Sequence, residues 1–437
     1  MSMRKHVVYS ATRQWNPGDE FILRGARRVV EAKIGPANAI LYNRNPDVRP
    51  DSFELALRGD KNVMRGLYGD TEAFLRYGFH DNSVKPDGDF SFVDLAVVAG
   101  SPEWTTRRCY NFFEHVVKNA TPVVILGVGS LEASPPPFVR EVAKKARFFS
   151  VRSEELLVDR DWARDAGAVY LPCPALLSAD EKNERKIDAV RRIALVYSAP
   201  ERDSIRANSV ANEVADAILA LYRRLLARRS ERVEFFGVCH YVDELPGATR
   251  FFNEFGVPVF YAYDSADYEE IYGRADLTVS ARVHACGLSA SLGVPGVFFG
   301  TDARAGTCRG FLSEFVDYRV DYQDFERKID QISEEIAARN AELIRHKRRT
   351  FDAYLAALDG LSLEKTPYDC APPTRSISTS RRKRVEALDA LRCACCVDAP
   401  EPTLWDDVYH RCRKRRNAFK TWLRSKRRKR RDNSNDN

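Results

Sequence analysis

Arg282 and His284 stand two residues apart in SARVHACGLSASLGVPGV, Ser280 to Val297, where an apolar strand gives way to a small-residue helix. Alternate residues of an extended segment share a face, so both side chains can point into one cleft. The guanidinium is a permanent planar fork suited to a carboxylate or phosphate, and the imidazole can donate hydrogen bonds or move a proton near neutral pH. A helix beginning near His284 would add unpaired backbone N–H groups, and the small residues Ala285, Cys286 and Gly287 would let an anion approach them. The spacing leaves another arrangement open, in which Arg282 pairs with a nearby acid and His284 caps the helix.

A further candidate lies in TRQWNPGDEFILRGARRVV, where Asn16, Gly18, Asp19 and Glu20 form a turn between a strand and a helix. Taken alone, this is an ordinary strand-to-helix turn with Asp19 or Asn16 as the cap.

The elements that must position these residues follow from hydrophobic periodicity. Between residue 6 and about 180, the short apolar runs HVVYSAT, ANAILYN, DLAVVAG, TPVVILGVGS and RFFSVRS alternate with helical patterns, then pass into the turn-like YLPCPAL. Such alternation predicts a parallel sheet with crossover helices. The polar segment LSADEKNERKIDAVRR interrupts it, and the alternation restarts with RIALVYS, RVEFFGVCH, PVFYAYD, DLTVSARV and PGVFFGT. The expectation is an α/β chain of two Rossmann-like domains, residues 1–182 and 190–360, with a cleft at the carboxyl ends of the strands. Residues 324–358 form a long helical pattern that carries Phe325, Ile329, Ile332 and Ile336 on one face and closes the second domain. Residues 361–437 read as a linker and a flexible basic tail.

The net charge of +7 belongs to that tail, because Arg411 to Arg431 holds thirteen Lys or Arg and no acid, leaving the remaining chain at −6. An acidic body without a nucleic-acid module argues against nucleic acid as a partner. Phe419, Trp422 and Leu423 among the tail's charges suit an anionic membrane surface, with a merely solvated tail as the alternative. No run of about 18 apolar residues occurs, and MSMRKHVVYSATRQW lacks the apolar centre of a secretory signal, so the expected compartment is the cytosol. Cys109, Cys173, Cys239 and Cys286 sit in apolar segments and read as buried thiols. Cys393 to Cys396, with His410 and Cys412, offers soft ligands at spacings unlike the usual paired zinc hooks, and no metal is assigned.

The pattern S-x-R-x-H-A followed by small residues and LGVPGV, together with the Asn-Pro-Gly-Asp-Glu turn, resembles the polysaccharide pyruvyl transferase family. The similarity runs through residues 6 to 320 in order of elements, with SVRSEE as a looser match. It implies a glycosyltransferase-B-like pair of domains that moves pyruvate from phosphoenolpyruvate onto a sugar as a ketal. No cofactor is expected beyond this co-substrate. The acceptor would be a sugar or lipid-linked oligosaccharide of a surface polysaccharide. Carried over onto this sequence, Ser280, Arg282, His284, Ala285 and Arg152 would hold the donor, and His284 and Asp19 would serve as acid and base. Asn16, Gly18, Asp19 and Glu103 would line the acceptor side. Two departures stand out: DLAVVAGSPEW has Ser101, Pro102 and Glu103 where further glycines are usual, and Trp104 adds bulk. In SVRSEE, Ser153 follows Arg152 where Asp is usual, leaving a surface pair of Arg152 with Glu154 or Glu155 as the alternative. The competing readings are a nucleotide-sugar glycosyltransferase of the same architecture and a non-catalytic carbohydrate-binding relative.

Overall fold

The structure is a computed structural model that describes residues 4–11, 17–44, 80–81, 91–106, 109–158, 160–199, 209–227, 233–241, 244–262, 265–301 and 304–373. Asn16, the cysteine cluster at 393–396 and the basic tail lie outside the described residues.

The first sheet comprises β1 (His6–Ala11), β2 (Asn38–Asn43), β3 (His80–Asp81), β4 (Leu95–Ala99), β5 (Val123–Val128), β6 (Phe148–Val151) and β7 (Val169–Tyr170), in spatial order 3-2-1-4-5-6-7. The second comprises β8 (Arg192–Val196), β9 (Glu234–Cys239), β10 (Val259–Tyr261), β11 (Leu277–Ser280), β12 (Gly296–Gly300) and β13 (Glu314–Asp317), in order 10-9-8-11-12-13. Every pairing is parallel, and both sheets follow the same doubly wound order. The expected architecture of two Rossmann-like α/β units is what the chain adopts. The strand order reverses at β1/β4 in one half and at β8/β11 in the other, which is where such sheets open a crevice for a ligand.

Continuous apolar runs form these strands because both faces are covered. Along β1, Val7, Tyr9 and Ala11 join one core while Val8 joins the other; Leu95, Val97 and Ala99 of β4 split from Ala96 and Val98 in the same way. The two-residue strands β3 and β7 and the acid-bearing β13 are sheet edges, kept short or charged as edges tend to be.

The first helix, Pro17–Ile34, belongs to both halves. Leu23, Ala26, Val29 and Val30 pack under β1 and β4, whereas Phe21 and Ile22 enter the core of the second sheet. The Phe21 ring lies edge-on to His240 and Tyr268, 6.0 Å from each. Gly25 lies directly against the Pro174 carbonyl, so only a residue without Cβ lets the helix settle on the 3-10 turn Pro174–Leu177.

The long helical pattern near the end is two abutting helices, Tyr322–Glu334 and Ile336–Ala357, with Phe325, Ile329, Ile332 and Ile336 buried as their spacing predicts. The buried Lys347 amine of the second donates to the carbonyls of Ala179 (2.9 Å) and Ser291 (2.7 Å) and pairs with Glu184, tying this helix to both the interdomain segment and the second sheet's layer. Residues 361–373, linker-like in composition, run over the first half. Tyr368 donates to the Thr121 carbonyl (2.7 Å), and Lys145 pairs with Asp369 (2.7 Å).

Candidate functional site

Strand β11 ends at Ser280 and the small-residue helix begins at Val283, one residue before the expected start near His284. Arg282 therefore holds the N-cap position in extended backbone, and His284 sits in the first turn without capping. The Ser280 hydroxyl is buried and folded onto its own turn, accepting from Arg282 N at 2.8 Å, and Ala285 is fully buried.

The two motif residues have different surroundings. Arg282 is neutralised from within: both oxygens of Glu244, a residue only 1% exposed, accept from its Nη2, and its guanidinium lies 4.2 Å over the Tyr241 ring. Burial disfavours the charged guanidinium, but the Glu244 carboxylate outweighs burial and raises its pKa. Of the two arrangements the spacing left open, Arg282 takes the acid-paired one. Glu244, just beyond β9, is a site residue that sequence reasoning missed.

His284 meets Arg152 instead. Arg152 follows β6, is 9% exposed, and approaches with Nη1 at 3.1 Å from His284 Nε2. A guanidinium has no lone pair to offer, so Nε2 accepts and the ring is neutral with its proton on Nδ1. Burial is the main reason that the His284 pKa lies well below the ordinary imidazole value, and the charges of Arg152 and Arg304 add to it. Arg152 is not part of a surface pair with its neighbouring glutamates, since Glu155 pairs with Arg309 instead. Its Nε is buried without a hydrogen-bond partner, and among the described residues no carboxylate pairs with it. Arg304, itself exposed, adds a third guanidinium near Arg152 and His284. A neutral imidazole and two guanidiniums that have no carboxylate partner among the described residues, beside a helix N-terminus, suit a multiply charged anion.

The first half supplies the opposing wall. Gly18 is in close contact with His284, since a Cβ there would stand 2.5 Å from Nδ1. Asp19, 7% exposed, follows in the same turn and receives a hydrogen bond from Arg44 Nη2 at 3.4 Å. Buried Cys173 lies near both Arg152 and Asp19: burial pushes its thiol pKa up, Arg152 pulls it down, and Asp19 pushes it up again. Gly18, Asp19, Arg152 and His284, remote in sequence, thus converge across the cleft.

The Ser-Pro-Glu-Trp loop differs from its expected role. Trp104 is fully buried in the core of the first half, with Nε1 donating to the Ser130 carbonyl at 2.8 Å, so its bulk does not occupy the cleft. Ser101 keeps a backbone more natural to glycine, with φ of +92°, and its hydroxyl accepts from Glu103 N at 2.9 Å. Glu103 itself is half-buried beyond the end of β4.

The profile of the family described as Polysaccharide pyruvyl transferase matches residues 16–303. The chain belongs to the polysaccharide pyruvyl transferase family. No curated protein matches it. Among solved structures, this pyruvyl transferase family member is similar to UDP-GlcNAc 2-epimerase from Neisseria meningitidis bound to UDP-GlcNAc, at 11% identity and a TM-score of 0.47, over 82% of this chain and 99% of that one. It is also similar to HepE of Anabaena in complex with UDP-glucose, at 10% identity and a TM-score of 0.42 over 88% and 100% of the two chains. A third likeness is to the E. coli heptosyltransferase WaaC with ADP, at 10% identity and a TM-score of 0.40 over 76% and 99%. Among the described residues of this family member no helix is long and apolar enough to cross a membrane, and no group of three or more His, Cys, Asp or Glu could hold a metal ion.

Proposed function

We propose that the protein transfers the pyruvyl unit of phosphoenolpyruvate onto two hydroxyls of a sugar, forming a ketal. The observation that carries this reading is Arg152, buried with no carboxylate partner among the described residues and bonded to a neutral His284 at the start of a helix. Phosphoenolpyruvate brings about three negative charges near pH 7, and Arg152, Arg304 and the helix N-terminus complement them. Arg282, satisfied by Glu244, shapes the donor pocket and does not grip the anion itself.

The chemistry follows from the charges. An anion beside His284 raises the imidazole's pKa, so donor binding loads a proton onto the ring. His284 delivers that proton to the methylene carbon, generating an oxocarbenium-like centre at C2. A sugar hydroxyl bonds to C2 as its proton passes to Asp19; a second hydroxyl then bonds to C2 as its proton returns to His284 and the bond from C2 to the phosphate oxygen breaks, releasing phosphate. The acceptor is a free or lipid-linked sugar of a surface polysaccharide. On this reading the enzyme works in the cytoplasm, with Arg411 to Arg431 drawing it to anionic lipid.

The test is phosphate release from phosphoenolpyruvate with a panel of lipid-linked and nucleotide-linked sugars, comparing wild type with Arg152→Met and His284→Ala. Turnover in the wild type that is lost in both variants supports the reading. A folded wild type that ignores phosphoenolpyruvate but cleaves a nucleotide sugar would move the function to glycosyl transfer.

A further inference from the structure

Among the described residues of the first half, Arg44 is the most enclosed cation. It follows β2 directly, its side chain is fully buried, and it turns back over the end of β1. Its backbone N donates to the Ala11 carbonyl at 2.9 Å, its Nη1 to the Ser10 carbonyl at 2.7 Å, and its Nη2 to Asp19 Oδ2 at 3.4 Å. Nε is buried without a partner. The arrangement parallels Arg282 and Glu244 in the other half: each sheet carries an arginine paired with a buried carboxylate beyond its strand ends.

We propose that Arg44 is a positioning residue for the acceptor side, holding Asp19 in place as a carboxylate; this rests on the reading of Asp19 as the group that faces the sugar. The groups around Asp19 make such a partner necessary. From β2 comes Arg44; from the segment before the 3-10 turn comes the Cys173 thiol, with Arg152 beyond it; across Gly18 stands His284; and Glu20 is the neighbouring acid on the same helix. A donor carrying several negative charges near Asp19 favours its protonated form, in which it cannot take a hydroxyl proton. A buried guanidinium on the far side opposes that tendency without entering the cleft.

The experiment compares Arg44→Met and Arg44→Lys in the full-length protein, with phosphate release as the readout. In Arg44→Met, kcat should fall about tenfold or more, the acid limb of its pH profile should move up by about one unit, and the KM for phosphoenolpyruvate should stay unchanged. Arg44→Lys should restore most of kcat. Equal losses in both variants with an unmoved acid limb, or a loss confined to donor KM, would overturn the proposal. A second measurement needs no turnover: denaturant unfolding of Arg44→Met, Asp19→Asn and the double variant. Coupling of about tenfold in the unfolding equilibrium supports the pair, and additive effects overturn it. Coupling in a protein that never turns over phosphoenolpyruvate supports the pair while removing the pyruvyl-transfer reading.

Discussion

Arg152→Met and Arg282→Met should fail in different ways, although both remove one arginine from the same cleft. Arg282→Met strips Glu244, 1% exposed, of its partner. Breaking a buried ion pair from one side costs about 3–5 kcal/mol; Arg282 keeps some exposure, so the lower end is expected, with a fall of several degrees in Tm. Arg152→Met removes a buried cation that strands no carboxylate among the described residues, while methionine keeps much of the volume. Its Tm should hold or rise, while affinity for phosphoenolpyruvate loses a charge-assisted interaction of about 1.5–3 kcal/mol, or roughly 10- to 150-fold in Kd. Calorimetric titration with phosphoenolpyruvate and with inorganic phosphate, beside thermal unfolding of each variant, separates the two. Adding Glu244→Leu to Arg282→Met should recover stability, because the stranded charge is gone. The reasoning fails if Arg152→Met lowers Tm as much as Arg282→Met while leaving both ligands' affinities intact.

Gly18→Ala would ordinarily strengthen a helix by about 1 kcal/mol, but here the methyl would displace His284. Phosphate release should drop at least tenfold with Tm little changed, and an active alanine variant would show that the close contact is unimportant. Burial holds both His240 and His284 well below the ordinary imidazole pKa. Their contribution to stability is therefore intact above the unfolded value near 6.5 and is lost as pH falls, because the unfolded chain gains protons that the folded one does not. The unfolding free energy should decline by up to about 2.7 kcal/mol per pH unit below that point. Denaturant titrations from pH 8 to 5 would show it; His240→Phe should roughly halve the slope, and saturating phosphate, by letting folded His284 take up its proton, should flatten it as well.

The strands that build the cleft were readable because Val, Ile and Leu run unbroken through segments buried on both faces, as in VVILGV. The edges were not: β3 and β7 are two residues long, and EFVD of β13 mixes acids with its apolar residues. The charged partners were harder still. Arg44 meets Asp19 across 25 positions and Arg282 meets Glu244 across 38, so neither pair leaves a local spacing to detect. One signal was present, since Arg44 and Arg152 each directly follow an apolar strand, the end that faces a ligand in parallel sheets. Trp104 misled for the opposite reason: a bulky residue in a departing loop suggested an altered cleft, but its indole is turned into the core.

Helix Pro17–Ile34, shared between the two cores, bears on how the protein can be re-engineered. A chimera cut in the polar segment near residue 185 would leave Phe21 and Ile22 facing a foreign second half, with Gly18 set against another protein's histidine. Exchanging acceptor specificity by domain shuffling would therefore require moving the side chains opposite this helix together with it. The transferable unit is the sheet of one half plus the seam of the other.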